Sequence, residues 1–137
     1  MTAVDDATLD QMVGAAREAM ANSYAPYSRF RVGAAILSED GGIRPGVNIE
    51  NASYPMSVCA ERNAVAGMVI AGQHVVRAVA VATDADEPTP PCGGCRQVLW
   101  EFGDDDTVVV AEAAGGRRAR WRLGDLLPDA FGPDDLT

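Results

Sequence analysis

A chain of 137 residues, 47 % of them apolar, is long enough for one substantial core and gives no reason for a second, so one domain over 1–137 is expected. Its formal net charge of -9 opposes a phosphate backbone, which lysine and arginine must hold, and so disfavours a polynucleotide substrate. No run of about 18 apolar residues offers a membrane span, and residues 1–10 lack the cation and apolar segment of a secretory leader, so a cytoplasmic location is expected.

Apolar residues at Leu9, Met12, Val13, Ala16, Ala19 and Met20 fall on one stripe and predict a helix over 9–23, with Thr8 and Gln11 as its capping box. Pro26, within Tyr24-Ala25-Pro26-Tyr27-Ser28, breaks it. Phe30, in the loop that follows, either packs the helix onto a sheet or lines a pocket. Strands over 32–37 and 43–49 flank Glu39-Asp40-Gly41-Gly42, a turn that makes them an antiparallel hairpin. Asn48 and Glu50 share a face of the second strand; the pair suits a solvated strand end or the vicinal hydroxyls of a sugar. Ser57 is placed to cap a helix over 58–71, whose apolar side carries Val58, Val65, Met68 and Val69 and which Gly72 ends.

Residues 75–83 are almost wholly apolar, as in a central strand buried on both faces. An acidic, proline-containing linker over 84–91 leads to a helix that begins at Cys92 and stops near Phe102 and Gly103. Strands over 107–111 and 118–122 complete an α/β alternation. The link between them, with Gly115 and Gly116, is too short for the crossover helix of a parallel pair, so they run antiparallel. Arg118, Arg120 and Arg122 share a face of the last strand, where charge on an edge is favoured over a nucleic-acid stripe. Leu126 and Leu127 close a short helix before Phe131 in the acidic tail.

All three cysteines lie in two stretches, Cys59-Ala60-Glu61-Arg62 and Cys92-Gly93-Gly94-Cys95. In a reducing compartment they read as metal ligands or reactive thiols rather than a disulfide framework. Tetrahedral zinc needs a fourth ligand, and His74, the one histidine, lies beyond the far end of the helix that carries Cys59. The vacant position then falls to water, on which Glu61 can act. Residues two apart on a helix point to different sides, so Cys59 and Glu61 meet one metal only off the helix N-terminus, where the dipole favours a thiolate. Arg62 can supply further positive charge to the sulfurs. A redox motif at Cys92 and Cys95 leaves Cys59 and Glu61 unused, and a structural zinc module leaves Glu61 unused.

Those two stretches, with Pro91 and Arg96-Gln97-Val98, resemble the zinc signature of the small cytidine deaminases. The resemblance extends through Tyr24-Ala25-Pro26-Tyr27-Ser28, residues 30–35, residues 46–52, Leu126-Leu127-Pro128 and Phe131-Gly132-Pro133. It implies a three-layer α/β/α fold with a mixed five-stranded sheet and one zinc ion per subunit on Cys59, Cys92 and Cys95. It implies hydrolysis of cytidine and deoxycytidine to uridine and deoxyuridine plus ammonia, zinc-bound hydroxide attacking C4 while Glu61 shuttles protons. Asn48 and Glu50 are similar to residues that hold the ribose 3'-hydroxyl, the Ala60 and Cys92 backbones to groups at the base amide edge, and Phe30 to a ring stacked on the pyrimidine. The resemblance further implies a homotetramer in which neighbours complete each site, with Tyr54 and Phe131 at the boundaries. Val47 and Gly94 depart from the common cysteine and alanine at positions that are not ligands. A deaminase of nucleoside antibiotics or other aminated heterocycles is the nearest rival. Polynucleotide deaminases differ in having parallel last strands joined by a helix.

Overall fold

In the computed structural model, which describes residues 3–137, β3 (Val76–Thr83) is buried on both faces, and that is why it is apolar apart from Arg77 and Thr83. Met1 and Thr2, and with them the start of the segment read as lacking a leader, lie outside the described residues. Alternation along β3 sends Ala78, Ala80 and Ala82 toward Leu9, Met12, Val13 and Ala16 of α1 (Asp6–Met20). Val79 and Val81 point the other way, into a core with Ala64 and Met68 of α2 (Ala60–Ile70) and Leu99 of α3 (Gly93–Phe102). The alanine face lets α1 lie close to the sheet. Gly33 of β1 (Val32–Ser38) completes that approach, since a Cβ there would overlap the Ala16 carbonyl. Helices on both faces of the sheet make the three-layer α/β/α arrangement.

The sheet runs β2 (Ile43–Val47), β1, β3, β4 (Val108–Glu112), β5 (Arg118–Arg122). β1 is antiparallel to β2 and β3, β3 is parallel to β4 across α3, and β4 and β5 are antiparallel as the short link requires. Pro45, which cannot donate to a ladder, sits in β2 at the sheet edge. Val32 pairs with Thr83 and Gly33 with Val47, so the start of β1 and the ends of β2 and β3 reach one end of the sheet. Thr89, Pro90 and Cys92, from the linker between β3 and α3, lie around one hollow with Val32 and Thr83 at that end.

Element boundaries shift from the sequence expectation for identifiable reasons. The Asp5 side chain caps α1 by accepting from the Thr8 N–H at 2.8 Å, so Thr8 receives the cap rather than providing it. At the other end α1 stops at Met20, before Ser23 and well before Pro26, because the Tyr24 N–H is drawn to the Asn48 carbonyl at 3.0 Å. β2 ends at Val47; Ile49 instead bridges to Tyr24 and Val58 outside the sheet, which places Asn48 and Glu50 beyond the strand. The last short helix is α4 (Leu123–Leu126). The three arginines of β5 are each ion-paired, Arg118 to Asp10 and Glu112, Arg120 to Asp6, and Arg122 to Asp106 and Asp125. Among the described residues no helix is long and apolar enough to cross a membrane.

Candidate active site

Cys59 and Cys92 are the N-caps of α2 and α3, with extended backbones (φ -70°, ψ 155° and φ -64°, ψ 167°). Both were expected inside their helices, with Ser57 as the cap of the first. Ser57 is otherwise engaged, its hydroxyl accepting from the Asn51 N–H at 3.0 Å. At the N-cap each cysteine carbonyl receives the first helical bond, from Asn63 and Arg96, while its thiol comes off the helix end among free N–H groups. Cys95, one turn into α3, is fully buried behind them. The Cys92 Sγ lies 3.9 Å from the Cys59 Sγ and 3.4 Å from the Cys95 Sγ, and all three sulfurs lie within 4.8 Å of one another. Tetrahedral zinc, with Zn–S of about 2.3 Å, sets its sulfurs about 3.8 Å apart, so three thiols on two helix ends fit the ion without rearranging the chain. His74 is exposed and outside the cluster.

The Cys59 and Cys95 thiols are shifted in opposite directions. Hydrogen bonds from the Cys95 and Cys92 thiols and the positive field of Arg62 lower the Cys59 thiol to about 6, against the opposing effect of burial. Cys95 is pushed up, chiefly by donating to Cys59 and by burial. Arg62 itself is exposed and acts on the sulfur through its charge. Glu61, second residue of α2, is only 5 % exposed. Burial, with the nearby Cys59 thiolate, raises its carboxyl to about 7; its own N–H and the Cys95 thiol offset part of that.

Cys59, Cys92 and Glu61 line a cavity of about 250 Å³ whose walls also include Phe30, Asn48, Glu50, Ala60 and Thr83. Asn48 is a structural hub. Its Oδ1 accepts from the Ser23 hydroxyl and from the Val32 N–H at 3.0 Å, and its Nδ2 donates to the Phe30 carbonyl at 2.8 Å. One amide N–H remains uncommitted. Glu50 accepts from the Tyr27 and Ser28 N–H groups at 3.0 Å each and from the Ser28 hydroxyl, which leaves one lone pair on Oε2. The Ser28 hydroxyl and these N–H groups hold the Glu50 carboxyl below the usual carboxylate range. A more open hollow of about 670 Å³ near the start of α1, bordered by Thr8, Leu37 and Ile43, holds no cluster of metal-ligating groups among the described residues.

Seven of the residues singled out from sequence, Phe30, Asn48, Glu50, Cys59, Ala60, Glu61 and Cys92, thus border one cavity, and Cys95 stands behind it. Tyr54 and Phe131 do not border it. Tyr54 begins a 3-10 turn, is 69 % exposed, and meets Tyr27 edge-on with ring centres 5.9 Å apart. Phe131 is 60 % exposed, its carbonyl accepting from Gln97 Nε2 at 2.7 Å. Sequence reading missed Ser23, Ser28, Thr83 and Thr89. The serines bond to partners 25 and 22 residues away, a relation no local pattern carries. Thr83 was visible as the polar end of an apolar strand.

Comparison with known proteins gives the same answer. Residues 7–112 match the cytidine and deoxycytidylate deaminase zinc-binding region. A cytidine deaminase of Halalkalibacterium halodurans is 43 % identical over 126 residues, 92 % of this chain and 96 % of the relative. One from Mycobacterium tuberculosis is 44 % identical over 131 residues, covering 96 % and 95 %. The crystal structure of cytidine deaminase from Burkholderia pseudomallei superposes with a TM-score of 0.85 at 43 % identity, over 89 % of this chain and 98 % of that one. A thiol cluster of zinc-binding geometry, on this sheet and with this similarity along the chain, places the protein in the cytidine and deoxycytidylate deaminase zinc-binding family.

Proposed function

We propose that the cavity hydrolyses free cytidine and deoxycytidine to uridine and deoxyuridine, releasing ammonia. The observation that carries this is the placement of a buried carboxyl, Glu61, beside three thiols of ligand geometry, in a cavity that Asn48 and Glu50 also line. Cys59, Cys92 and Cys95 would hold one zinc ion per chain, which when bound lowers the pKa of water and supplies the nucleophile. Glu61 takes one water proton, gives it to ring N3 as C4 is attacked, and carries the remaining water proton, from the hydroxyl now on C4, to the departing amino group as the C4–N bond breaks. Water and cytidine thereby become uridine and ammonia. Phe30 covers a face of the ring, and the Ala60 and Cys92 backbones meet its amide edge.

Asn48 and Glu50 support a sugar reading for a countable reason. Asn48 has one donor left and Glu50 one acceptor, the complement of a single hydroxyl, assigned here to the ribose 3'-position. A site that reads one hydroxyl accepts both cytidine and deoxycytidine. The net charge and the antiparallel β4 and β5 favour a free nucleoside over a polynucleotide. The enzyme would then serve pyrimidine salvage in the cytoplasm. Tyr54 and Phe131, large and exposed, are assigned to neighbouring subunits' sites in a homotetramer; a monomeric mass by light scattering, with full activity, would remove that assignment. Turnover on cytidine, deoxycytidine, cytosine and a short oligonucleotide tests the substrate class. Both nucleosides are expected to be turned over well, and preference for the oligonucleotide would end this reading.

A further inference from the structure

Val32, first residue of β1, pairs with Thr83, last of β3, and both border the cavity. The next residues outward, Arg31 and Asp84, therefore face each other across the strand ends. Their side chains meet in a two-pronged bond, Nε to Oδ2 at 2.9 Å and Nη2 to Oδ1 at 3.2 Å, the geometry in which a guanidinium holds a carboxylate best. On the β2 side the same segment is tied differently: Asn48 holds the Phe30 carbonyl and the Val32 N–H, and the Ser28 hydroxyl accepts from the Phe30 N–H at 3.0 Å. Between these ties Arg29 takes φ 59°, a left-handed conformation that a residue with a side chain adopts only under constraint. Residues 28–32 thus form a strap fixed at one side by Asn48 and Ser28 and at the other by the ion pair.

We propose that Arg31 and Asp84 are a positioning pair, holding the strap across the ends of β1 and β3 so that the Phe30 ring stays set against the bound base. The proposal rests on reading the cavity as a nucleoside site. Neither residue borders the cavity, so the pair acts through Phe30 and leaves the reacting atoms alone. Both side chains are partly exposed, at 47 % and 37 %, which limits the expected effect.

The test is a double-mutant cycle read in two ways. Arg31→Ala and Asp84→Ala should each raise KM for cytidine about two- to five-fold, with kcat and zinc content unchanged, and the double variant should be no worse than the larger single. Asp84→Asn, which keeps the shape and removes the charge, should move KM in the same direction. Hydrogen exchange of the Phe30 and Val32 amides should quicken in each single variant and no further in the double. That readout needs no substrate: a wild-type protein inert toward cytidine would sink the nucleoside reading, whereas exchange still decides whether the pair holds the strap. Unchanged exchange in both single variants, or single effects on KM that multiply in the double, would overturn the proposal.

Discussion

The thiol part of the cavity stands on the first turns of α2 and α3, whereas the part bearing Asn48 and Glu50 is built from the Ser23 to Val32 loop and the chain just beyond β2. In the thiol part, position follows from helix geometry: an N-cap sends its side chain off the helix, and two such caps with a residue one turn in converge on a point. Around Asn48 and Glu50, position follows from side chains that bond to backbone far along the chain, Asn48 to Val32 and Phe30, Glu50 to Tyr27 and Ser28. Damage to the first should therefore abolish chemistry, and damage to the second should loosen binding by degrees.

The largest expected effect comes from the three cysteines. Cys95→Ala removes the fully buried thiol of the cluster and should eliminate bound zinc and ammonia release together, as should a chelator acting on the wild-type protein; readdition of zinc should restore only the chelated wild-type protein. Retained zinc and turnover in Cys95→Ala would show that the three sulfurs do not act as one site. Next is Asn48→Ala, which strands the Val32 N–H and the Phe30 carbonyl. A loss of about 1–3 kcal/mol in stability is expected by denaturant unfolding, with KM raised about ten-fold and zinc retained.

Gly46→Ala is expected to act across the boundary between the two parts. A Cβ at Gly46 would lie 2.5 Å from the Ala60 carbonyl oxygen and 2.5 Å from the Ala64 nitrogen, so α2 must move off β2 and take Glu61 with it. Crowding of this kind costs about 1–3 kcal/mol, and kcat should fall more than KM rises. The smallest effect belongs to Ser28→Ala, which removes one of three hydrogen bonds to Glu50. The lowered carboxyl of Glu50 stays ionised as pH falls below its ordinary range, so the contact it makes persists there and is lost only at lower pH. In Ser28→Ala that loss should begin at higher pH, seen as an acid rise in KM displaced upward at equal zinc content.

The same contrast explains what could be read from the residues alone. The convergence of Cys59, Cys92 and Cys95, with Glu61 in the same cavity, was legible because a metal site needs particular residue types at short, regular spacings near helix starts. The apolar run of β3 and the short link before β5 likewise dictate burial and strand direction through local rules. Caps were harder, since Thr8 and Ser57 are good capping residues whose roles were settled by competitors, the Asp5 carboxylate and the Asn51 N–H. Ser23 and Ser28 carry no local signature, since their partners Asn48 and Glu50 lie 25 and 22 residues on, and only the sheet register, Val32 against Thr83, sets Arg31 opposite Asp84.

Replacement of one buried carboxyl tests the central claim most directly. Glu61→Gln should retain zinc and fold while ammonia release from cytidine falls by about 10²–10⁴-fold, the range for loss of a positioned proton carrier. Turnover near the wild-type rate in a zinc-loaded Glu61→Gln protein would contradict the proposed mechanism.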